Sequence, residues 1–110
     1  MLKYAVKSRG RPKKIRLVSH SPRIEQFSPR GRPGRPDEAV LSIDEFEAIR
    51  LADHMGLRQK EAAKSMKISQ QTFSRILKRA HKIIADVIVN GKIIKIHGGN
   101  YVTKANEKNT

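Results

Sequence analysis

Between Leu41 and Val89, apolar residues recur every three or four positions, the spacing of helices that bury one face. Ser42-Ile43-Asp44-Glu45 reads as a capping box, in which the Ser42 hydroxyl and the Glu45 carboxylate satisfy free N–H groups of a first turn. Leu41 and Phe46 stand where a hydrophobic staple requires them. A first helix therefore starts here, buries Ala48, Leu51, Ala52 and Met55, and stops at Gly56. A short second helix over 59–66 buries Ala62, Ala63 and Met66. Ser69 is a good N-cap for a third helix over 69–89, with Ile68 and Phe73 as a second staple. Phe73, Ile76, Leu77, Ala80, Ile83, Ile84, Val87 and Ile88 give that helix one apolar face.

A short helix, a tight turn and a longer helix have the spacing of a helix-turn-helix, and the crossing point has the small side chains it needs in Ala62 and Ala63. The first residue of such a turn favours positive φ, where glycine costs least. Lys67 stands there instead, at a penalty of about 1 kcal/mol. Arg58 is likewise a poor N-cap for the second helix. A plain three-helix bundle with the same core is the alternative, and the polar side of the third helix weighs between the two. Turning about 100° per residue from Phe73 directs Gln71, Arg75, Lys78, Arg79 and Lys82 away from the core, with Thr72 and Ser74 on the flanks. None is acidic, whereas an ordinary solvated face mixes signs. Glutamine can pair with adenine and arginine with guanine, so Gln71, Thr72, Ser74 and Arg75 are the candidate base readers. Gln70, Lys78, Arg79 and Lys82 are the candidate phosphate contacts.

Outside the helices the pattern is weaker. Ile15-Arg16-Leu17-Val18 is an apolar run too short to stand alone, and Lys92-Ile93-Ile94-Lys95-Ile96, after a turn at Asn90-Gly91, is a candidate pairing partner. All five prolines fall within residues 1–36, which carry eleven Lys/Arg against Glu25. The organisation expected is a basic Pro/Gly/Arg-rich arm over 1–36, a helix-turn-helix domain over 37–102 and a disordered tail over 103–110. On that reading, deleting the arm leaves the helical signal intact. Pro29-Arg30-Gly31-Arg32-Pro33 has the Arg-Gly-Arg core of AT-hooks, and Ser8-Arg9-Gly10-Arg11-Pro12-Lys13-Lys14 is a looser copy. Arg9, Arg11, Arg30, Arg32 and Arg35 could thus line an A·T-rich minor groove, the alternative being a nonspecific phosphate-binding tail.

Charge sharpens the picture. The net charge is +14 over 110 residues, distributed as +10 over 1–36, −5 over 37–57 and +9 over 58–110. Hydrophobic residues make up 37% and aromatic residues 5%, enough for one small core and too little for a large enzyme pocket. Cysteine is absent, which excludes disulfides and thiolate zinc sites, and His20, His54, His81 and His97 are scattered. No metal or cofactor is expected. No apolar run reaches about 18 residues and none follows the basic start, so neither a membrane span nor a secretory signal is expected. The chain should be cytoplasmic and associated with the nucleoid. Asp44, Glu45, Glu47 and Asp53 have capping and surface roles to account for them, Glu61 suits the first turn of its helix, and no phosphate loop or nucleophile motif appears. An enzyme is not expected.

Several segments together carry a resemblance: Arg11-Pro12-Lys13-Lys14, the run Ser42-Ile43-Asp44-Glu45-Phe46-Glu47-Ala48-Ile49-Arg50-Leu51-Ala52-Asp53, Lys60-Glu61-Ala62-Ala63, Ser69-Gln70-Gln71-Thr72-Phe73-Ser74-Arg75-Ile76-Leu77, and Gly98-Gly99-Asn100-Tyr101. They resemble an uncharacterised prokaryotic family predicted to bind DNA, whose helical part is similar to promoter-reading region 4 of RNA polymerase sigma factors. The resemblance covers about residues 9–102. It implies a mainly α fold, a three-helix helix-turn-helix domain of the sigma factor region 4-like, winged-helix-like class, with a largely irregular arm and a short C-terminal strand. It also implies a DNA-binding regulator. The family usually has serine where Arg58 stands and glycine where Lys67 stands, and some members carry N-terminal cysteines that this chain lacks.

The expected function is sequence-specific binding of double-stranded DNA by a small transcriptional regulator, with helix 69–89 in the major groove and the arm in the minor groove. One alternative is a general binder of RNA or DNA, against which the low aromatic content argues. Another is a protein-interaction module docking on RNA polymerase through the acidic first helix, at Glu45, Glu47 and Asp53. Ile83, Ile84, Val87 and Ile88 either close the core within the chain or form a homodimer contact.

Overall fold

The structure, a computed structural model, describes residues 15–31, 34 and 36–103. In chain order it runs β1 (Arg16–Val18), β2 (Gln26–Phe27), β3 (Glu38–Leu41), α1 (Ile43–Ile49), a π-helical turn (Arg50–His54), α2 (Gln59–Ser65), α3 (Gln70–Asn90), β4 (Ile93–Ile96) and β5 (Tyr101–Thr103).

The helix boundaries follow from local capping chemistry. Ser42 Oγ accepts the Glu45 N–H at 3.3 Å, and Glu45 Oε1 accepts the Ser42 N–H at 2.8 Å. Ser69 Oγ accepts the Thr72 N–H at 3.0 Å. At the start of α2 the Arg58 side chain makes no capping bond, and Glu61 Oε1 instead reaches back to the Arg58 N–H at 3.3 Å. Lys67 does adopt positive φ, +58°. Its N–H bonds to the Lys64 carbonyl and that of Ile68 to the Ala63 carbonyl, at 3.1 and 3.0 Å, the paired bonds of a Schellman helix end. Gly91, in the left-handed region, terminates α3.

Two apolar clusters hold these elements together. Ala48, Leu51, Ala62, Ala63, Met66, Ile68, Phe73, Ile76 and Leu77 fill the space between α1, α2 and the first half of α3. Val18, Leu41, Ile43, Ala80 and Ile96 join α3 to the strands, with Ile83 and Ile94 packed against them. Alanine at 80 lets the strands approach the helix closely. The apolar stripe on α1 ends sooner than its spacing predicts. The chain widens into the π-helical turn at Arg50, and Met55 turns outward to 52% exposure, its Sδ facing Arg50 Nη1 at 3.2 Å. At the other end of the stripe, Ile83 closes the core within the chain, whereas Ile88 and Val89 stand in solvent.

The strands do not adopt the candidate pairing. Ile93–Ile96 has both edges occupied, β2 antiparallel on one side and β3 parallel on the other, with Phe27 beside Ile94 and Leu41 beside Ile96. The first apolar run therefore pairs elsewhere: β1 lies parallel to β5, with Arg16 beside Tyr101 and Val18 beside Thr103. Leu17 and Val18 are buried. Residues 16–27 consequently belong to the folded unit and not to an irregular arm, and Thr103 is strand and not tail. The Gly98-Gly99 turn leading into β5 sits on the start of α1, where the Gly98 carbonyl accepts the Ile43 N–H at 2.9 Å. Gly99 has φ +105°, and a Cβ there would run into Asp44 Oδ1 and the Ser42 Cβ. No helix among the described residues is long and apolar enough to cross a membrane.

Candidate nucleic-acid interface

Ser69 fixes where α3 begins and Phe73, Ile76, Leu77 and Ala80 fix which side is buried, so the opposite side is determined by helix geometry alone. Gln70, Gln71, Ser74, Arg75, Lys78 and Lys82 are all exposed. From Gln71 to Lys82 this face runs about 16 Å along the axis.

Two predicted members differ from the rest. Thr72 is half-buried, and its Oγ1 accepts a hydrogen bond from Ser69 Oγ at 2.9 Å, so it serves the helix start. Arg79 bends back to Glu45, Nε to Oε2 at 3.4 Å, which ties α3 to α1 and withdraws part of its charge from solvent. Among the arm residues, Arg30 is exposed beside Gly31, while Arg9, Arg11, Arg32 and Arg35 lie outside the described residues.

The acids of α1 do not form the surface patch expected of them. Glu47 is wholly buried and takes two bonds from Arg50, Nε to Oε1 at 2.7 Å and Nη2 to Oε2 at 2.9 Å. This bonding raises the Arg50 guanidinium above its ordinary pKa. Asp44 is buried 3.8 Å from Arg16, and Glu45 is buried between the Ser42 N–H and Arg79. Asp53 remains near the surface, 2.6 Å from His81 Nε2. A docking patch built of Glu45, Glu47 and Asp53 is therefore absent, because two of its three carboxylates are consumed inside the fold. By contrast, Arg75, Lys78 and Lys82 have no ion-pair partner among the described residues. Asp86, the acid on α3, lies at its far end, where bonds from Lys92 and Asn90 hold its carboxyl below the usual range.

Lys60 and Lys64 lie exposed one turn apart on α2 and are not among the candidate contacts read from the sequence. Their four-residue spacing beside Ala62 and Ala63 was the available signal.

A family model described as Protein of unknown function DUF134 matches residues 4–104. The chain belongs to this family. The DUF134 match takes in the residues of β1 and β5 as well as those of the three helices. Proteins named UPF0251 protein are similar to it: one from Prosthecochloris aestuarii is 52% identical over 91 residues, 82% of this chain and 59% of the relative. Another, from Caldicellulosiruptor bescii, is 52% identical over 92 residues, 84% of this chain and 64% of the relative. A third, from Methanococcus vannielii, is 44% identical over 102 residues, 91% of this chain and 78% of the relative. The chain spans about three fifths of the length of the first two. No solved structure matches it.

Proposed function

We propose that this DUF134 chain binds double-stranded DNA sequence-specifically as a small transcriptional regulator, with α2, the turn at 66–69 and α3 acting as a helix-turn-helix. The observation that carries this reading is the outer face of α3. It combines amide, hydroxyl and cationic side chains and no acid over its first three turns, while Glu45 and Glu47 of α1 are turned inward onto partners. The positive φ at Lys67 supports the same reading, since it gives the inter-helix turn the backbone such a motif requires. Gln71, Ser74 and Arg75 would read base edges, and Gln70, Lys78 and Lys82 would hold phosphates, joined by Lys60 and Lys64 from α2. Arg9, Arg11, Arg30, Arg32 and Arg35 would follow the adjacent minor groove.

Selection from a random duplex library, followed by titration of the selected duplex, a scrambled duplex, single-stranded DNA and RNA, tests this. A recovered motif bound about a thousandfold more tightly than the scrambled duplex is the expected result. Equal affinity for all four nucleic acids would replace it with general nucleic-acid binding.

A further inference from the structure

The loop over 19–23 and one side of α1 with its π-helical turn border a half-open cavity of about 330 Å³, to which α3 contributes no wall. This volume lies at the low end of the roughly 300–1,000 Å³ range of small-molecule sites. Phe46 and Ile49 line it, His20, Arg23, Arg50 and His54 surround them, the walls are predominantly apolar, and no carboxylate lines it.

Buried Glu47 organises both sides of the cavity from behind. Its Oε2 accepts the Ser19 N–H at 3.1 Å, which anchors the start of the loop, and its two oxygens hold Arg50. That pairing neutralises Arg50. Arg23 is exposed and has no ion-pair partner among the described residues, so the uncompensated positive charge of the cavity sits there. Arg50 and His54 are the first and last residues of the π-helical turn. Such turns are rare and cluster at functional sites, because their widened backbone moves side chains off the regular helical positions.

We propose that this cavity binds a compact organic acid, its apolar body against Phe46 and Ile49 and its carboxylate on Arg23. A bare inorganic anion lacks the body that would displace water from the apolar walls, and a neutral ring lacks the charge that Arg23 would meet. The site is independent of the proposed DNA reading, since no residue of α3 takes part.

The test is a nuclear magnetic resonance titration of the full chain with benzoate, with benzyl alcohol and inorganic phosphate as the neutral and bare-anion probes. Benzoate should give saturable shifts centred on Phe46, Ile49 and His54. Benzyl alcohol should bind about tenfold more weakly, the size of one lost charge-assisted contact, and phosphate about tenfold more weakly or worse, since it keeps the charge but loses the apolar contact with Phe46 and Ile49. Arg23→Gln should weaken benzoate by a similar factor, whereas Arg30→Gln, which removes the same charge from an exposed position elsewhere, should leave it unchanged. The proposal is overturned by the absence of saturable shifts at those residues. It is equally overturned by phosphate binding as tightly as benzoate, or by Arg30→Gln weakening benzoate as much as Arg23→Gln.

Discussion

The backbone N–H of Leu17 donates to the carbonyl of Met66 at 3.0 Å, so the N-terminal strand closes the end of α2 directly. On its other side, the Arg16 N–H bonds to the Asn100 carbonyl. Removing residues 1–28, which takes away β1 and β2, should therefore cost cooperative melting, contrary to what an independent arm would do. Leu17→Ala should cost about 2–3 kcal/mol, the low end for a leucine truncated at the border of a core. Circular dichroism melts check both, and a sharp transition in the truncated chain would show that the clamp is dispensable.

The face of α3 should divide its work along its length. Gln71→Ala and Arg75→Ala should each cost about 1–3 kcal/mol on the selected duplex and flatten discrimination between duplexes. Lys78→Ala and Lys82→Ala should weaken all duplexes alike. If about six phosphates are contacted, log K should fall against log salt with a slope near −5, made shallower by about one for each lysine removed. Fluorescence anisotropy across a salt series measures all of these. A slope shallower than about −2, or unchanged site preference in both the Gln71 and Arg75 variants, would remove α3 as the reading element.

Two left-handed positions should respond in opposite directions. Lys67→Gly relieves a strained φ of +58° and should stabilise by about 0.5–1 kcal/mol, part of the gain being lost to a freer unfolded chain. Gly99→Ala should instead destabilise by about 1–3 kcal/mol, because its Cβ meets Asp44 and Ser42 across a packed contact. Urea melts of the two variants resolve the pair.

Glu47→Ala leaves Arg50 without its carboxylate in a largely buried place and should cost roughly 3 kcal/mol, the low end for a broken buried pair because Arg50 reaches solvent. Charge reversal at Glu47 should likewise be read as loss of fold and not loss of a docking partner. Asp53→Lys, at the surface, should leave the melting temperature nearly unchanged.

What the sequence made legible is what is decided within a turn or two. The Ser42 and Glu45 capping box, the Ser69 cap and the stripe from Phe73 to Ala80 rest on residues three or four apart, and the structure has them as read. The strands are different. Two to four residues carry no register of their own, so whether Leu17 pairs with Ile94 or Val102 depends on which edges the rest of the fold has already filled. Burial of the α1 acids was hidden for a related reason. Arg79 lies 34 positions from Glu45, and no local pattern announces such a partner. The cavity beside Phe46 depends on a loop whose anchoring bond to Glu47 spans 28 positions.

The parallel alignment of β1 and β5 has a mechanical consequence. Chain arriving at Ile15 enters one end of this strand pair, and chain departing from Thr103 leaves at the opposite end. Tension applied through the two flanks would slide the strands past each other and load their cross-strand bonds together, whereas an antiparallel pair pulled at adjoining ends opens one bond at a time. A domain threaded into a longer chain in this way resists stretching best along the direction in which its flanks pull.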